Sequence, residues 1–277
     1  MPTSQRENFY RIITEAVKDI IEHGYDIPAR IEYWVDRIRD AAEALLIPLP
    51  HAREVLNQHL LAIFKAQVER GAILRRHTGV ARFTLDKVKP QLHAELTRTV
   101  LASADLIKLN RKRAIETTLQ RFAGWASSVP AGGTKAVSRK AVNEGVRKSL
   151  ASLPFEERRV AIDQGHKFVS GLSRIIATDG GAIAAIWHSN WRQRNYNYRV
   201  DHKERDEQIY IVRNNWAIEN GLMKKSGHLY TDQITQPGEK VYCRCYYQYL
   251  YTLQDLPEDM LTLKGQETIT QAVRRLT

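Results

Sequence analysis

The sequence of 277 residues is poor in cysteine: there are two, Cys243 and Cys245, one residue apart. That spacing excludes a disulfide framework and suits a reducing cytoplasm. No apolar run approaches the roughly 18 residues of a membrane span, so no membrane partner is expected. The N-terminal stretch Met1 to Asn8 is polar, without a basic region leading into an apolar one, so no secretory segment is expected. Before residue 187 there is no Walker-type glycine loop, no nucleophile elbow and no helix with paired zinc-binding histidines, which leaves that part without a catalytic motif.

What is present is a chain with 43% hydrophobic and 26% charged residues, a balance that supports folding into one large domain or two modest ones. The formal net charge is +11. Ten cations lie between residues 108 and 148, namely Lys108, Arg111, Lys112, Arg113, Arg121, Lys135, Arg139, Lys140, Arg147 and Lys148, against two glutamates, so most of the excess is one patch. Such a patch can hold phosphates of double-stranded DNA without reading sequence, in a salt-sensitive way. The plainer alternative is a solvated helical face or a surface for an acidic protein.

Apolar residues at three-and-four spacing predict helices over about 5–22 (Phe9, Ile12, Ile13, Ala16, Ile20), after Pro28 (Ile31, Trp34, Ile38, Leu45) and from about Ala52 to Gly71. Residues 75–86 are open between a short strand and an arm. Pro90 suits a first helical turn, with the helix continuing or breaking around Asp105 and the next helix over about 110–126. Ser127 to Gly133 is a loop, followed by helices over 135–150 and from Pro154 to about Ile176. Ala182 to Trp187 reads as one more helix.

The pattern changes after Trp187. Three of the five tryptophans and both cysteines fall between residues 187 and 247. Tyr196, Tyr198 and Val200 alternate like a strand, residues 205–212 fit strand or helix, and 240–251 is a second extended piece. Asn214-Asn215 and Asn220-Gly221 read as turns. The chemistry here has three readings. Cys243 and Cys245 with His202, and His228 as a fourth, supply the ligand count of a structural zinc. A nuclease-like enzyme would use His202 as general base, Arg199, Arg205 or Arg244 on a phosphate, and Asp206 or Glu239 in support. The plainest reading is packing: reduced cysteines and a histidine beneath a short sheet, with no catalytic residue, no metal and no cofactor.

Trp191, then Arg199 with His202 three positions on, then Pro237-Gly238 and a closing Cys243-Arg244-Cys245 resemble the C-terminal module of the phage Mu F-like and SPP1-type head morphogenesis, or minor head, proteins. Where that family often has Asp-Gly after the histidine, this chain has Asp206-Glu207, so a different turn is expected there. The resemblance implies a mainly α protein: a helical body over 1–180, an α+β module with two or three short strands over 181–255, and a tail helix over 256–277. It implies a non-enzymatic structural protein of the capsid interior, made in the host cytoplasm. Its partners would be the portal protein, the major capsid or scaffolding protein and packaged DNA, with several copies around the portal acting in procapsid assembly, packaging and ejection.

Overall fold

A computed structural model describes residues 3–25 and 27–276. The protein is mainly α with one small antiparallel sheet, as the sequence implies. The chain divides into two compact units, one of residues up to Leu56 with Leu101–Ala161, the other of Asn57–Val100 with Ile162 onward. Three helices, over Leu49–Phe64, Arg82–Ala126 and Arg139–Asp179, each contribute residues to both units. No described helix is long and apolar enough to cross a membrane.

In the first unit, α1 (Thr3–His23) and α2 (Pro28–Leu45) bury the stripes that the periodicity marks, with Phe9, Ile13, Ile20, Ile38 and Leu45 in one core beside Phe122 and Leu150. Asp19 ties the pair, accepting from Trp34 Nε1 at 2.7 Å and from Arg30 at 3.0 Å. The loop after residue 126 is sewn to the end of α1: Thr134 N–H donates to Ile21 O at 2.8 Å. Gly24 and Gly133 allow that approach, since both have positive φ and a Cβ on either would strike backbone oxygens at 1.8 and 2.2 Å.

Helix α3 (Leu49–Phe64) runs into a π-helical turn at Lys65–Glu69 and a 3-10 turn at Ala72–Arg76. Helix α4 is continuous over Arg82–Ala126 and α5 over Arg139–Asp179. The expected helix starts at Pro90, Asn110, Lys135 and Pro154 are therefore corrected, and of the two alternatives around Asp105 the helix continues. An interior proline costs about 3 kcal/mol of helix, yet Pro90 is exposed while Leu85, Val88, Leu92 and Leu96 are buried on the same stripe. Tertiary burial of that stripe carries the helix through. Pro154 repeats the arrangement, exposed between buried Leu150, Leu153 and Val160.

In the second unit, the segment expected as a helix is a strand, β1 (Ala184–His188), central in a sheet of order β2-β1-β3 with β2 at Ile209–Ile211 and β3 at Tyr246–Leu250. Both neighbours are antiparallel. Its apolar run is unbroken because both faces are covered, a pattern that a buried helix shares. Ala184 faces an aliphatic cluster with Ile211 and Leu250. Ala185 and Trp187 face an aromatic one with Tyr210, Tyr247, Tyr249 and the cysteines. The alternation at Tyr196, Tyr198 and Val200 is not a strand: these residues lead through turns into the short helix α6 (Val200–Glu204). Asn215 caps the single turn α7 (Trp216–Glu219), accepting from Ile218 N at 3.0 Å. The tail helix is present as α8 (Leu263–Leu276).

His77 is wedged against this sheet, its ring stacked on Tyr249 at 5.2 Å and its Nδ1 2.6 Å from the Tyr251 hydroxyl. Burial, reinforced by the charge of Arg76, pushes its pKa down to about 4. The unfolded chain therefore binds a proton here below pH 6.5 that the folded chain refuses, and stability falls as pH drops from 6.5 toward 4. Unfolding titrations of wild type and His77→Phe should show the stability-against-pH slope shallower in the variant by up to about 1.4 kcal/mol per pH unit in that window. Identical slopes would contradict the assignment.

Candidate functional site: a buried His-Cys-Cys centre

Helix α6 supplies His202, and the turn entering β3 supplies Cys243 and Cys245. Both sulfurs lie 3.5 Å from His202 Nδ1. All three side chains are buried, and His202 is only 1% exposed. Trp187 meets the imidazole edge-on at 5.2 Å, and Arg205 lies over Trp187 at 5.2 Å. On the far side of the ring, Nε2 has no hydrogen-bond partner. The nearest carboxylate, Asp201 Oδ2, is 3.8 Å away and is held by Arg205 at 3.1 Å.

The spacing suits a metal. Zinc bonds of about 2.3 Å to sulfur and 2.0–2.1 Å to nitrogen, at a tetrahedral angle, put those ligand atoms about 3.5 Å apart. The group could hold a metal ion, with every donor atom within 4.8 Å of the others. His228, the fourth ligand suggested by the sequence, is not among them: it pairs with Asp259 at 3.3 Å. Among the described residues no fourth His, Cys, Asp or Glu joins the group. Without metal the thiols share a proton. Cys245 donates to Cys243, which lowers the Cys243 pKa to about 5 and pushes that of Cys245 up, burial adding to the latter.

The other residues of the sequence motif build the frame around this centre. Asp206 accepts from Trp191 Nε1 at 2.8 Å and from Ser189 N at 2.7 Å, fixing the segment after β1. Arg199 donates to Val241 O at 3.0 Å, Asn190 to Arg244 O at 2.7 Å, and the Arg244 guanidinium to Gln193 at 3.0 Å. Pro237 and Gly238 are buried, Gly238 at φ +83° against Ser170, where a Cβ would sit 2.9 Å from Oγ. Tyr242 N donates to Asp163 on α5 at 2.6 Å, anchoring the turn. The aromatics of 191–198 dock on cations: Lys203 lies 4.5 Å over Trp191 and Arg244 5.3 Å over Tyr196.

The turn after His202 corrects the expectation drawn from Asp206-Glu207. Glu207 takes φ +65°, so the left-handed step that a glycine would favour is kept with a glutamate in it. The residues grouped for general-base chemistry do not converge on an open imidazole. His202 is enclosed, Arg205 bonds Thr235 and Asp201, and Glu239 accepts from Gln236 N. The sequence reading missed Asp201, Asp163, Asn190 and Trp187. Asp201 could have been suspected from its adjacency to His202, whereas Asp163 is 79 positions from its partner.

Of the ten basic candidates, Arg111 is not at the surface. It is 7% exposed, donates to Glu157 at 2.6 Å and to Ile47 O at 2.6 Å, and is corrected from phosphate contact to internal cross-link. Arg121 reaches Ser149 and Gly145, Arg139 lies 3.8 Å from Glu22, and half-buried Arg147 stacks on Tyr10 at 4.6 Å. Lys108, Lys112, Arg113, Lys135, Lys140 and Lys148 are exposed and form no ion pair among the described residues.

Comparison with protein-family models, with curated proteins and with solved structures returns no match. Asp206→Ala should cost about 1.5–3 kcal/mol, the range for hydrogen bonds to a charged group, while Glu207→Gly should be neutral or stabilising by up to about 1 kcal/mol as the left-handed strain is relieved. Denaturant midpoints measure both; a destabilised Glu207→Gly or an unaffected Asp206→Ala would contradict these roles.

Proposed function

We propose that the protein is a phage minor head protein, a structural component of the capsid interior that associates with the portal and with packaged DNA. The observation that carries this reading is convergence. The residues of the resemblance, from Trp191 to Cys245, are spread over more than fifty positions and form one hydrogen-bonded frame around His202, Cys243 and Cys245. A motif that builds a closed frame rather than an open cleft suits a docking module better than an enzyme. Portal protein and the major capsid or scaffolding protein are its proposed partners, with several copies around the portal during assembly, packaging and ejection.

Zinc is the proposed occupant of the centre, and His202 Nδ1 with the two cysteine sulfurs would hold it. The donor set, the 3.5 Å separations and the low pKa of Cys243 support it. Asp201 is placed to accept from Nε2 after a small shift, as second-shell carboxylates do for ligating histidines. The ion would cross-link α6 to the entry of β3 and so stabilise the module.

Exposed Lys108, Lys112, Arg113, Lys140 and Lys148 supply the DNA contact, through phosphates and without base readout. Replacing these five by Gln should lower affinity for duplex DNA and reduce the magnitude of the log K against log salt slope by up to about 4–5, at roughly 0.9 per phosphate contact. Arg111→Gln should leave that slope unchanged and destabilise the fold by about 3–5 kcal/mol, as loss of one partner does to a buried ion pair. An unchanged slope in the fivefold variant would sink the DNA role. Absence of the protein from purified portal rings and capsids of its phage would sink the structural assignment.

A further inference from the structure

The loop between β1 and α6 supplies no donor to the His-Cys-Cys group. Between His188 and Val200 it carries three arginines, three aromatics and four side-chain amides, and no carboxylate. It is held from behind. Asp206 accepts from Ser189 N and Trp191 Nε1, Asn190 donates to Arg244 O, and Arg244 N donates to the Tyr196 hydroxyl at 3.2 Å. Asn195 takes φ +61°, a left-handed step that asparagine tolerates, within consecutive turns in which Tyr196 N donates to Gln193 O at 3.2 Å.

The side chains left over by this frame face solvent. Arg192, Arg194, Asn195 and Asn197 are exposed, and so is Tyr198 at 37%. Neither Arg192 nor Arg194 has a hydrogen bond or ion pair among the described residues, and Arg192 lies over the half-buried Trp191 ring at 4.8 Å. Lys203, exposed on α6 and likewise without an ion pair among them, lies 4.5 Å over Trp191 and 5.8 Å over Tyr198. Asp206, the carboxylate that touches the loop, is engaged by Trp191 and the Ser189 backbone.

Unpaired cations beside an exposed ring and free amides are the parts of a single-strand nucleic-acid site: cations track the backbone, a ring stacks a base, and amides meet base edges. Cations already occupy the Trp191 ring, which leaves Tyr198 for the base. A duplex keeps its base faces inside the stack and has no use for that ring. An acidic peptide would use the cations alone. Because the loop is fixed by hydrogen bonds, little of the binding energy goes into ordering it.

We propose that the loop of residues 190–200, with Lys203, binds single-stranded nucleic acid without reading sequence, Tyr198 stacking on a base while Arg192, Arg194 and Lys203 contact phosphates. The site uses none of the cations between residues 108 and 148, so it holds or fails independently of the duplex contact. The test is fluorescence anisotropy of a labelled oligothymidylate of about 12 nucleotides, within the site size of a single-strand module. The full chain is used with Lys108, Lys112, Arg113, Lys140 and Lys148 replaced by Gln, which removes the duplex candidates from the readout. We expect saturable binding, tighter than to a hairpin duplex, to an abasic strand of equal charge or to polyglutamate. Tyr198→Ala should weaken it about fivefold or more, the effect of one lost base stack, and Tyr198→Phe should retain it. Replacing Arg192, Arg194 and Lys203 by Gln should reduce the magnitude of the log K against log salt slope by about 2, at roughly 0.7 per single-strand phosphate contact. Tyr198, Arg192, Arg194 and Lys203 are exposed, so these variants keep the fold. Absence of saturable binding, equal affinity for the abasic strand or the duplex, or unchanged affinity in Tyr198→Ala would overturn the proposal. Polyglutamate binding as tightly as the strand would assign the loop to an acidic protein and overturn it as well.

Discussion

The constraint on which the C-terminal part of the chain depends is the enclosure of one imidazole between two thiols. His202, Cys243 and Cys245 are polar groups removed from water, and both sulfurs turn to the same imidazole nitrogen at 3.5 Å. A short helix of five residues would not hold a histidine in that position by itself. The surrounding frame does so, through Asp206 on the Trp191 side, Arg199 on the chain entering Cys243, and Asp163 beneath Tyr242. Each of these bonds joins segments that are far apart in sequence, so the module closes as a unit.

The sheet supplies the floor. Because β1 is central, its two faces divide the labour: Ala184 packs into aliphatic residues, and Ala185 and Trp187 turn toward the tyrosines and cysteines. Small residues at 184 and 185 let neighbouring strands carry large ones, with Tyr210 and Tyr249 both paired to Ala185. The aromatic face thus excludes water from the thiols.

The helical body was legible because a stripe of apolar residues at period 3.6 means the same thing wherever it packs, as Phe9, Ile13 and Ile20 illustrate. Helix ends at proline were not. Pro90 and Pro154 read as starts by local rule, and only the burial of Val88, Leu92 and Leu150 around them overrides it. The run from Ala182 to Trp187 has no period to distinguish strand from helix, since both faces are buried. At the centre, the grouping of His202 with Cys243 and Cys245 was legible and its fourth member was not: His228 is drawn away by Asp259, which nothing local marks. In the basic segment, charge was legible and exposure was not, because nothing local marks Arg111 as the partner of Glu157, 46 positions on.

The His-Cys-Cys group could hold a metal ion, and its proposed role is a zinc cross-link. It is tested most directly by elemental analysis and native mass spectrometry of the full chain, purified without chelator from zinc-supplemented medium. The account predicts one zinc per chain, lost in Cys243→Ser and in His202→Ala. A folded, metal-free wild-type chain with both thiols reduced would contradict it.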